Sequence, residues 1–206
     1  MFVEDYMTPD PVTVQEEARV DEAKRLMQRH HFRQLPVLDC AARLVGIITD
    51  RDIRQTVAFG EPLCDDLVVA DLMTADPTTI PLSATLDEAV GLLAKYKFGA
   101  LPVVRAQQLV GIITYLDALR ALADVFGLDK PGHRIEVALP DGYVDIARAF
   151  AALKDCNGWV LSAVVSRTRK DGGEPALYLR VLREEAREVE RLLRAATMII
   201  LAPEHA

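Results

Sequence analysis

The strongest constraint on this chain is that it states one pattern twice. The segment MTPDPVTVQEEARVDEAKRLMQRHHFRQLPV, starting at Met7, returns as MTADPTTIPLSATLDEAVGLLAKYKFGALPV, starting at Met73. Each copy then runs into LVGIIT and, after two intervening residues, an aspartate (Asp52, Asp117). Two copies are too few for a solenoid, which needs about three stacked repeats to bury a continuous core. Two modules packed about a pseudo-twofold axis, with equivalent clefts between them, are the expected solution.

With 206 residues, half of them hydrophobic, the chain has material for at least two domains. Its longest apolar runs, such as Leu44 to Thr49 and Met198 to Ala202, fall far short of the ~20 residues that span a bilayer. The N-terminus MFVEDYMTPD is acidic and has no basic leader, so a soluble cytoplasmic protein with no membrane partner is expected. Cys40, Cys64 and Cys156 are scattered and form no CxxC pair, which argues against a disulfide framework or a zinc site. His30 and His31 are adjacent and point to different faces, a poor arrangement for a metal.

The net charge is −7, and residues 133–206 hold eleven Lys/Arg against eleven Asp/Glu, so the acidic excess lies in residues 1–132. A field of that sign disfavours nucleic acid as a partner. Within the acidic part, Lys24, Arg25, Arg29, His30, His31, Arg33, Arg51 and Arg54 all belong to the first copy. Such a local cluster suits a local anion.

Each copy reads as strand, helix, strand, strand, helix. An Asp-Pro turn (Asp10-Pro11, Asp76-Pro77) leads into VTV or TTI, followed by helical periodicity at Val20, Ala23, Leu26 and Met27, or at Leu86, Ala89, Val90, Leu92 and Leu93. Asp21-Glu22 and Asp87-Glu88 sit in the first turns, where carboxylates favour the positive end of the dipole. The LPVLD and RLVGIIT runs, like LPVVR and QLVGIIT, read as hairpins. Thr49 and Thr114 are N-cap candidates for the helices that follow. Such a helix start offers free N–H groups to phosphate, and a carboxylate one turn in is placed to accept hydrogen bonds from ribose hydroxyls.

These residues resemble the paired CBS domain, or Bateman module. The resemblance covers about 7–123 and rests on the Met-Thr-x-x-Pro-x-Thr start, the apolar-Pro-Val strand, the Gly-Ile-Ile-Thr strand end and the x-x-Asp after it, twice over. It implies an adenine-nucleotide site in each copy, with Thr near phosphate, Asp on ribose and adenine between the opening strand and the apolar-Pro-Val strand. The first site would use Val12, Thr13, Gln34, Leu35, Pro36, Thr49 and Asp52; the second Thr78, Thr79, Ala100, Leu101, Pro102, Thr114 and Asp117. Arg33, Arg51 and His31 are the candidates for phosphate charge, serving either site. The second copy has Tyr115-Leu116 in place of Asp50-Arg51 and Phe98-Gly99 in place of Phe32-Arg33, so it lacks both arginines. The threonines and aspartates also fit a purely structural reading, as caps and first-turn acids.

Gly127, Pro131 and Gly132 mark a break. Beyond it the order is strand RIEVALP, helix YVDIARAFAALKD, a turn at Asn157-Gly158, strand WVLSAVVSR, turn KDGGEP, strand ALYLRVL, helix REEAREVERLLRAA and strand TMIIL. That order is βαββαβ, the split βαβ of ferredoxin-like topology. The segment resembles an ACT domain through this topology, Pro140-Asp141-Gly142 and Asn157. The resemblance implies amino-acid contacts at Asp141, Gly142 and Tyr143, while a dimerisation or signal-relay role is the preferred reading. Trp159 is expected in core or interface.

The expected fold class is therefore α+β: two CBS-type βαββα repeats packed about a pseudo-twofold axis, followed by a ferredoxin-like βαββαβ ACT-like domain. Repeat one is assigned to 1–66, repeat two to 67–126, a linker to 127–132 and the ACT-like domain to 133–206. This order is similar to that of acetoin utilisation protein B-like regulatory proteins. No GxSxG, P-loop, HExxH or helix-opening GxGxxG occurs, and no enzyme is expected. The expected function is a regulatory sensor, in a homodimer, of AMP, ADP, ATP or S-adenosylmethionine. It needs no cofactor, and a separate target protein is a further partner to identify. The alternatives are a ligand-free dimerisation or interaction module, in which Asp52→Ala would leave stability nearly unchanged, and an amino-acid sensor acting through the ACT-like domain.

Overall fold

The computed structural model describes residues 1–58, 67–156, 158–166 and 175–201. The expectations for Cys64, for Asn157 and for residues 170–174 of the KDGGEP turn lie outside the described residues. The chain forms two compact units, Met1–Leu119 and Arg120–Ala206.

The first unit begins with a 3-10 turn at Val3–Asp5, then β1 (Thr8–Pro9), β2 (Val14–Gln15), α1 (Val20–His30), β3 (Gln34–Leu38), β4 (Leu44–Thr49) and α2 (Asp50–Ala58). The second copy follows as α3 (Val69–Leu72), β5 (Thr74–Ala75), β6 (Ile80–Pro81), α4 (Leu86–Tyr96), β7 (Ala100–Arg105), β8 (Gln108–Thr114) and α5 (Tyr115–Val125). The division between the units falls within α5.

The two sheets are not each built from one copy alone. Their strand orders are β2-β3-β4-β5 and β1-β8-β7-β6. Thus Thr8 and Pro9 pair with Ile112 and Gly111 of the second copy, while Thr74 and Ala75 pair with Ile47 and Gly46 of the first. The βαββα order read from sequence gains one feature here: the Met-Thr segment that opens each copy completes the other copy's sheet. Adjacent backbone bonds repeat the exchange, with Val3 N–H donating to the Ala84 carbonyl at 2.9 Å and Val69 N–H to that of Ala18 at 2.8 Å. Val69 is fully buried in the core of the first copy, among Val14, Ala23, Leu35, Val37 and Ile48. Each such buried aliphatic side chain contributes about 1.5–3 kcal/mol, so the exchange is part of the core.

The copies also end their first helices alike. His31 (φ 56°) and Lys97 (φ 56°) both close the helix in the left-handed region. His30 stacks on Phe32 just as Tyr96 stacks on Phe98. Glycine is the usual residue at such a C-cap because a Cβ costs about 1–2 kcal/mol there. Here the cost is accepted twice at equivalent places.

In the second unit, β9 (Gly132–Ala138), α6 (Tyr143–Ala152), β10 (Val160–Ser166), β11 (Ala176–Leu182), α7 (Ala186–Ala195) and β12 (Ile200–Leu201) follow the expected βαββαβ order. The sheet order is β10-β11-β9-β12 with every neighbouring pair antiparallel, the arrangement of a split βαβ fold. Ile135, Val137, Leu177, Leu179 and Val181 face a core completed by Ala149, Leu153, Val189 and Leu193 of the helical layer. Trp159 packs against this core. Helix α6 stops at Ala152, three residues before the expected end, because Leu153 leaves helical geometry at ψ 9°. Before β9, Arg180 Nε donates to the Gly127 carbonyl at 2.7 Å and its Nη2 to that of Lys130 at 2.8 Å. Ser162 Oγ donates to the Phe126 carbonyl at 2.9 Å, so the segment leaving α5 is stapled to this sheet.

Candidate functional site

The strongest candidate is the Thr-x-x-Asp turn that joins the hairpin to the next helix in each copy. At α2, Thr49 N–H and the Thr49 hydroxyl both donate to Asp52 Oδ2, at 2.9 and 2.7 Å, and Asp52 N–H donates back to Thr49 Oγ1 at 3.3 Å. At α5, Thr114 and Asp117 repeat the set at 2.9, 2.6 and 3.2 Å. This is a reciprocal capping box, with Thr as N-cap and Asp at the third helical position. Asp52 is half-buried, while Asp117 is buried at 7 % exposure.

The capping role corrects one expectation. A capping side chain is worth about 0.5–2 kcal/mol, so Asp52→Ala does not leave stability unchanged. The same unit offers a better variant, because Thr85 and Glu88 form the same box at α4, with Thr85 N–H donating to Glu88 Oε2 at 2.8 Å. A glutamate therefore serves this cap while carrying its carboxylate one methylene further.

The strand that pairs with each turn brings in the next residues. Gln34 lies opposite Thr49, and Ala100 opposite Thr114. Asp50 N–H donates to the Arg33 carbonyl at 2.9 Å, and Tyr115 N–H to the Gly99 carbonyl at 3.0 Å, fixing each helix start to the strand. Val12 and Thr13 directly precede β2, whose Val14 pairs with Val37 beyond Pro36. Thr78 and Thr79 directly precede β6, whose Ile80 pairs with Val103 beyond Pro102. The structure thus brings Gln34, Leu35 and Pro36 to the first turn and Ala100, Leu101 and Pro102 to the second. Leu35 and Leu101 are wholly buried, and Ala100, Pro36 and Pro102 are buried too. What these residues can offer a ligand is backbone, whereas Thr13, Gln34, Thr49 and Asp52 keep partly accessible side chains. Thr79 also lines a groove of about 560 Å³ between β6 and α4, beside Glu88, Gly91 and Lys95.

Charge divides the copies. Arg54 pairs with Asp50 at 2.9 Å, whereas the side chains of Arg33 and Arg51 are exposed and make no hydrogen bond or ion pair among the described residues. One contact was not legible in sequence. A Cβ built on Gly99 would stand 2.6 Å from Gln34 Oε1, so the Gln34 amide of the first copy occupies the space of a side chain at position 99 of the second.

In the second unit, Gly142 adopts φ 59°, ψ −116° at the start of α6, Asp141 is exposed, and Tyr143 is 80 % exposed. Asp141 N–H donates to Asp145 Oδ2 at 2.7 Å, and the buried Asp145 also accepts from Arg148 at 3.1 Å. The amide at this helix start is thereby occupied from within. Among the described residues no group of three His, Cys, Asp or Glu side chains is arranged to hold a metal, and no helix is long and apolar enough to cross a membrane.

The CBS domain family model matches residues 3–58 and again 69–124. Among curated proteins, an inosine-5'-monophosphate dehydrogenase of Korarchaeum cryptofilum is 37 % identical over 147 residues, 71 % of this chain and 29 % of the relative. A homoserine O-acetyltransferase of Methanocorpusculum labreanum is 38 % identical over 115 residues, 55 % of this chain and 23 % of the relative. The chain spans less than a third of the length of these relatives. Among solved structures, CBSX2, an Arabidopsis thaliana protein, was determined in complex with AMP. That complex matches with a TM-score of 0.53 and 32 % identity over 60 % of this chain and 97 % of its own. A Vibrio cholerae protein described as an acetoin utilization protein, AcuB, matches at 0.56 and 32 %, over 63 % and 95 %. The CBS domain pair of protein MJ0100, in complex with 5'-methylthioadenosine and S-adenosyl-L-methionine, matches at 0.54 and 28 %, over 59 % and 99 %. With more than half of its residues matched, once in each copy, this chain belongs to the CBS domain family.

Proposed function

We propose that this protein is a regulatory sensor that binds an adenosine compound, among AMP, ADP, ATP and S-adenosylmethionine, at its paired CBS repeats. The observation that carries the reading is the duplicated Thr-x-x-Asp turn, held in one geometry at Thr49–Asp52 and Thr114–Asp117 beside the backbone of β3 and β7. Related CBS pairs crystallised with AMP, or with 5'-methylthioadenosine and S-adenosyl-L-methionine, support it. The first site comprises Val12, Thr13, Arg33, Gln34, Leu35, Pro36, Thr49, Arg51 and Asp52, and the second is its counterpart around Thr114 and Asp117. Occupancy shifts an equilibrium between two arrangements only through differential affinity, typically worth about 1–3 kcal/mol.

In this reading the protein is not an enzyme and works in the cytoplasm as a homodimer that reports to a target protein. Of the linker assigned to 127–132, residues 127–131 keep that role while Gly132 already opens β9, and 133–206 form an ACT-like domain for dimerisation or relay. A second reading, a ligand-free interaction module, is favoured by one observation: the Asp52 and Asp117 carboxylates are already engaged as caps.

Thermal unfolding against each adenosine compound separates the two. A ligand at ~100 times its Kd stabilises by about 2.7 kcal/mol. Asp52→Glu and Asp117→Glu keep the cap and move the carboxylate. A Tm rise in the wild type that these variants lose supports the sensor. No rise with any compound rejects it in favour of the interaction module.

A further inference from the structure

The two copies repeat the same three Thr–Asp bonds at the candidate turns but differ in the charge beside them. Arg33 and Arg51, unpaired among the described residues, adjoin Thr49 through the Asp50–Arg33 backbone bond and the first turn of α2. Their counterparts are Gly99 and Leu116, and Tyr115 replaces Asp50. Tyr115 and Leu116 are 55 % and 54 % exposed, an apolar pair at the start of α5. The second copy has Lys97 in the place of His31 and Arg120, where the first has Gln55, one turn beyond Asp117, but loses both cations that adjoin its threonine.

Position 99 is filled from the other copy. With Gln34 Oε1 2.6 Å from where a Cβ would stand, no side chain fits at Gly99 unless Gln34 moves. The first copy thus places the end of a side chain where the second copy has none, and a larger residue at position 99 would require Gln34 to turn aside. A phosphate dianion in an acidic domain gains from charge-assisted hydrogen bonds to guanidinium groups. An uncharged thioether or hydroxymethyl substituent gains nothing from them and suits an apolar rim.

We propose that the two clefts are tuned to different adenosine compounds: the one at Thr49–Asp52 to a phosphorylated nucleotide, the one at Thr114–Asp117 to an adenosine compound without phosphate. The assignment rests on the sensor reading above. It makes the protein a comparator of two adenosine pools, with Arg33, Arg51, Gln34 and Gly99 as its specificity residues.

Calorimetric titration of the full chain with AMP and with 5'-methylthioadenosine, singly and in sequence, tests it. Each ligand should bind in the presence of the other. Arg33→Ala with Arg51→Ala should weaken AMP by about tenfold to a hundredfold and leave the thioether nucleoside unaffected. Asp52→Glu should remove AMP alone, and Asp117→Glu the thioether nucleoside alone. Leu116→Arg should raise the affinity of the second cleft for AMP. The proposal is overturned if the ligands compete for one cleft, or if the arginine variant weakens both equally or neither. Binding of neither ligand to the wild type would reject the sensor reading itself, and this assignment with it.

Discussion

Met73 lies directly on Gly46: its Cγ is 3.0 Å and its Cβ 3.3 Å from the point where a Cβ on Gly46 would stand. Met7 lies on Gly111 in the same way, with its Cε 3.2 Å from the equivalent point. Each methionine opens one copy and covers a glycine in the second hairpin strand of the other. The glycine is what lets the exchanged strand approach.

Gly46→Ala is therefore expected to destabilise the first unit by about 1–3 kcal/mol, the usual range for overpacking a core. Met73→Ala in the same molecule should recover part of that loss. A double-mutant cycle by denaturant unfolding gives the coupling; additive effects would contradict the contact.

Asp39 closes the first hairpin. Its carboxylate accepts N–H bonds from Ala41 at 2.9 Å and Arg43 at 2.8 Å and a 2.7 Å bond from Arg43 Nε. The Arg43 backbone bond first, then its guanidinium, hold the Asp39 carboxyl below the usual carboxylate range. A carboxyl depressed in the folded state adds stability above its unfolded value, about 3.9. That stability is lost as pH falls through the lower folded value. Asp39→Asn should lower Tm at neutral pH, and its deficit against wild type should shrink on acidification below about pH 4. A deficit independent of pH would contradict the assignment.

Gly142 has φ 59° and ψ −116°, and a Cβ there would meet nothing within 4 Å. The cost of Gly142→Ala is backbone strain alone, about 1–3 kcal/mol, and should appear as a fall in denaturation midpoint with an unchanged m value. A neutral outcome would mean that the turn relaxes into another conformation.

Arg180 ties Gly127 and Lys130 to the second unit's sheet through two carbonyls, and its Cγ and guanidinium lie over Gly132. Arg180→Ala should speed hydrogen exchange at Phe126, Gly127 and Leu128, whose amides are bonded to Leu122, Asp124 and Ala123. Exchange in β9 near Ile135 should change far less. Uniform acceleration across both would indicate global destabilisation instead of release of the staple.

Much of this was written in the sequence because duplication supplies its own control. A threonine and an aspartate in one helix start are ambiguous, but the same pair twice, each after Gly-Ile-Ile, identifies both turns. Helices α1 and α4 were legible from apolar spacing, and the βαββαβ order of the second unit from its strand and helix periods. The exchange of β1 and β5 was not. A two-residue strand such as Thr8–Pro9 carries no periodicity, and its partners Gly111 and Ile112 lie far along the chain. The Gln34–Gly99 contact was hidden for a similar reason, since a glycine in sequence does not name the side chain that fills its space. That Leu35 and Leu101 are wholly buried also follows from packing and not from the motif, so their part in a site is limited to backbone.

The exchange of opening segments carries a consequence for synthesis. A ribosome delivers Thr8 and Pro9 long before Gly111 and Ile112, so the N-terminal segment must wait, unpaired, until almost the whole first unit has emerged. Pairings this distant slow folding because the chain must close a long loop before any contact repays it. The first copy meets a shorter wait, since Thr74 and Ala75 follow soon after Gly46 and Ile47. The nascent chain is thus expected to complete its first sheet early and its second only when the earliest residues are finally gathered in.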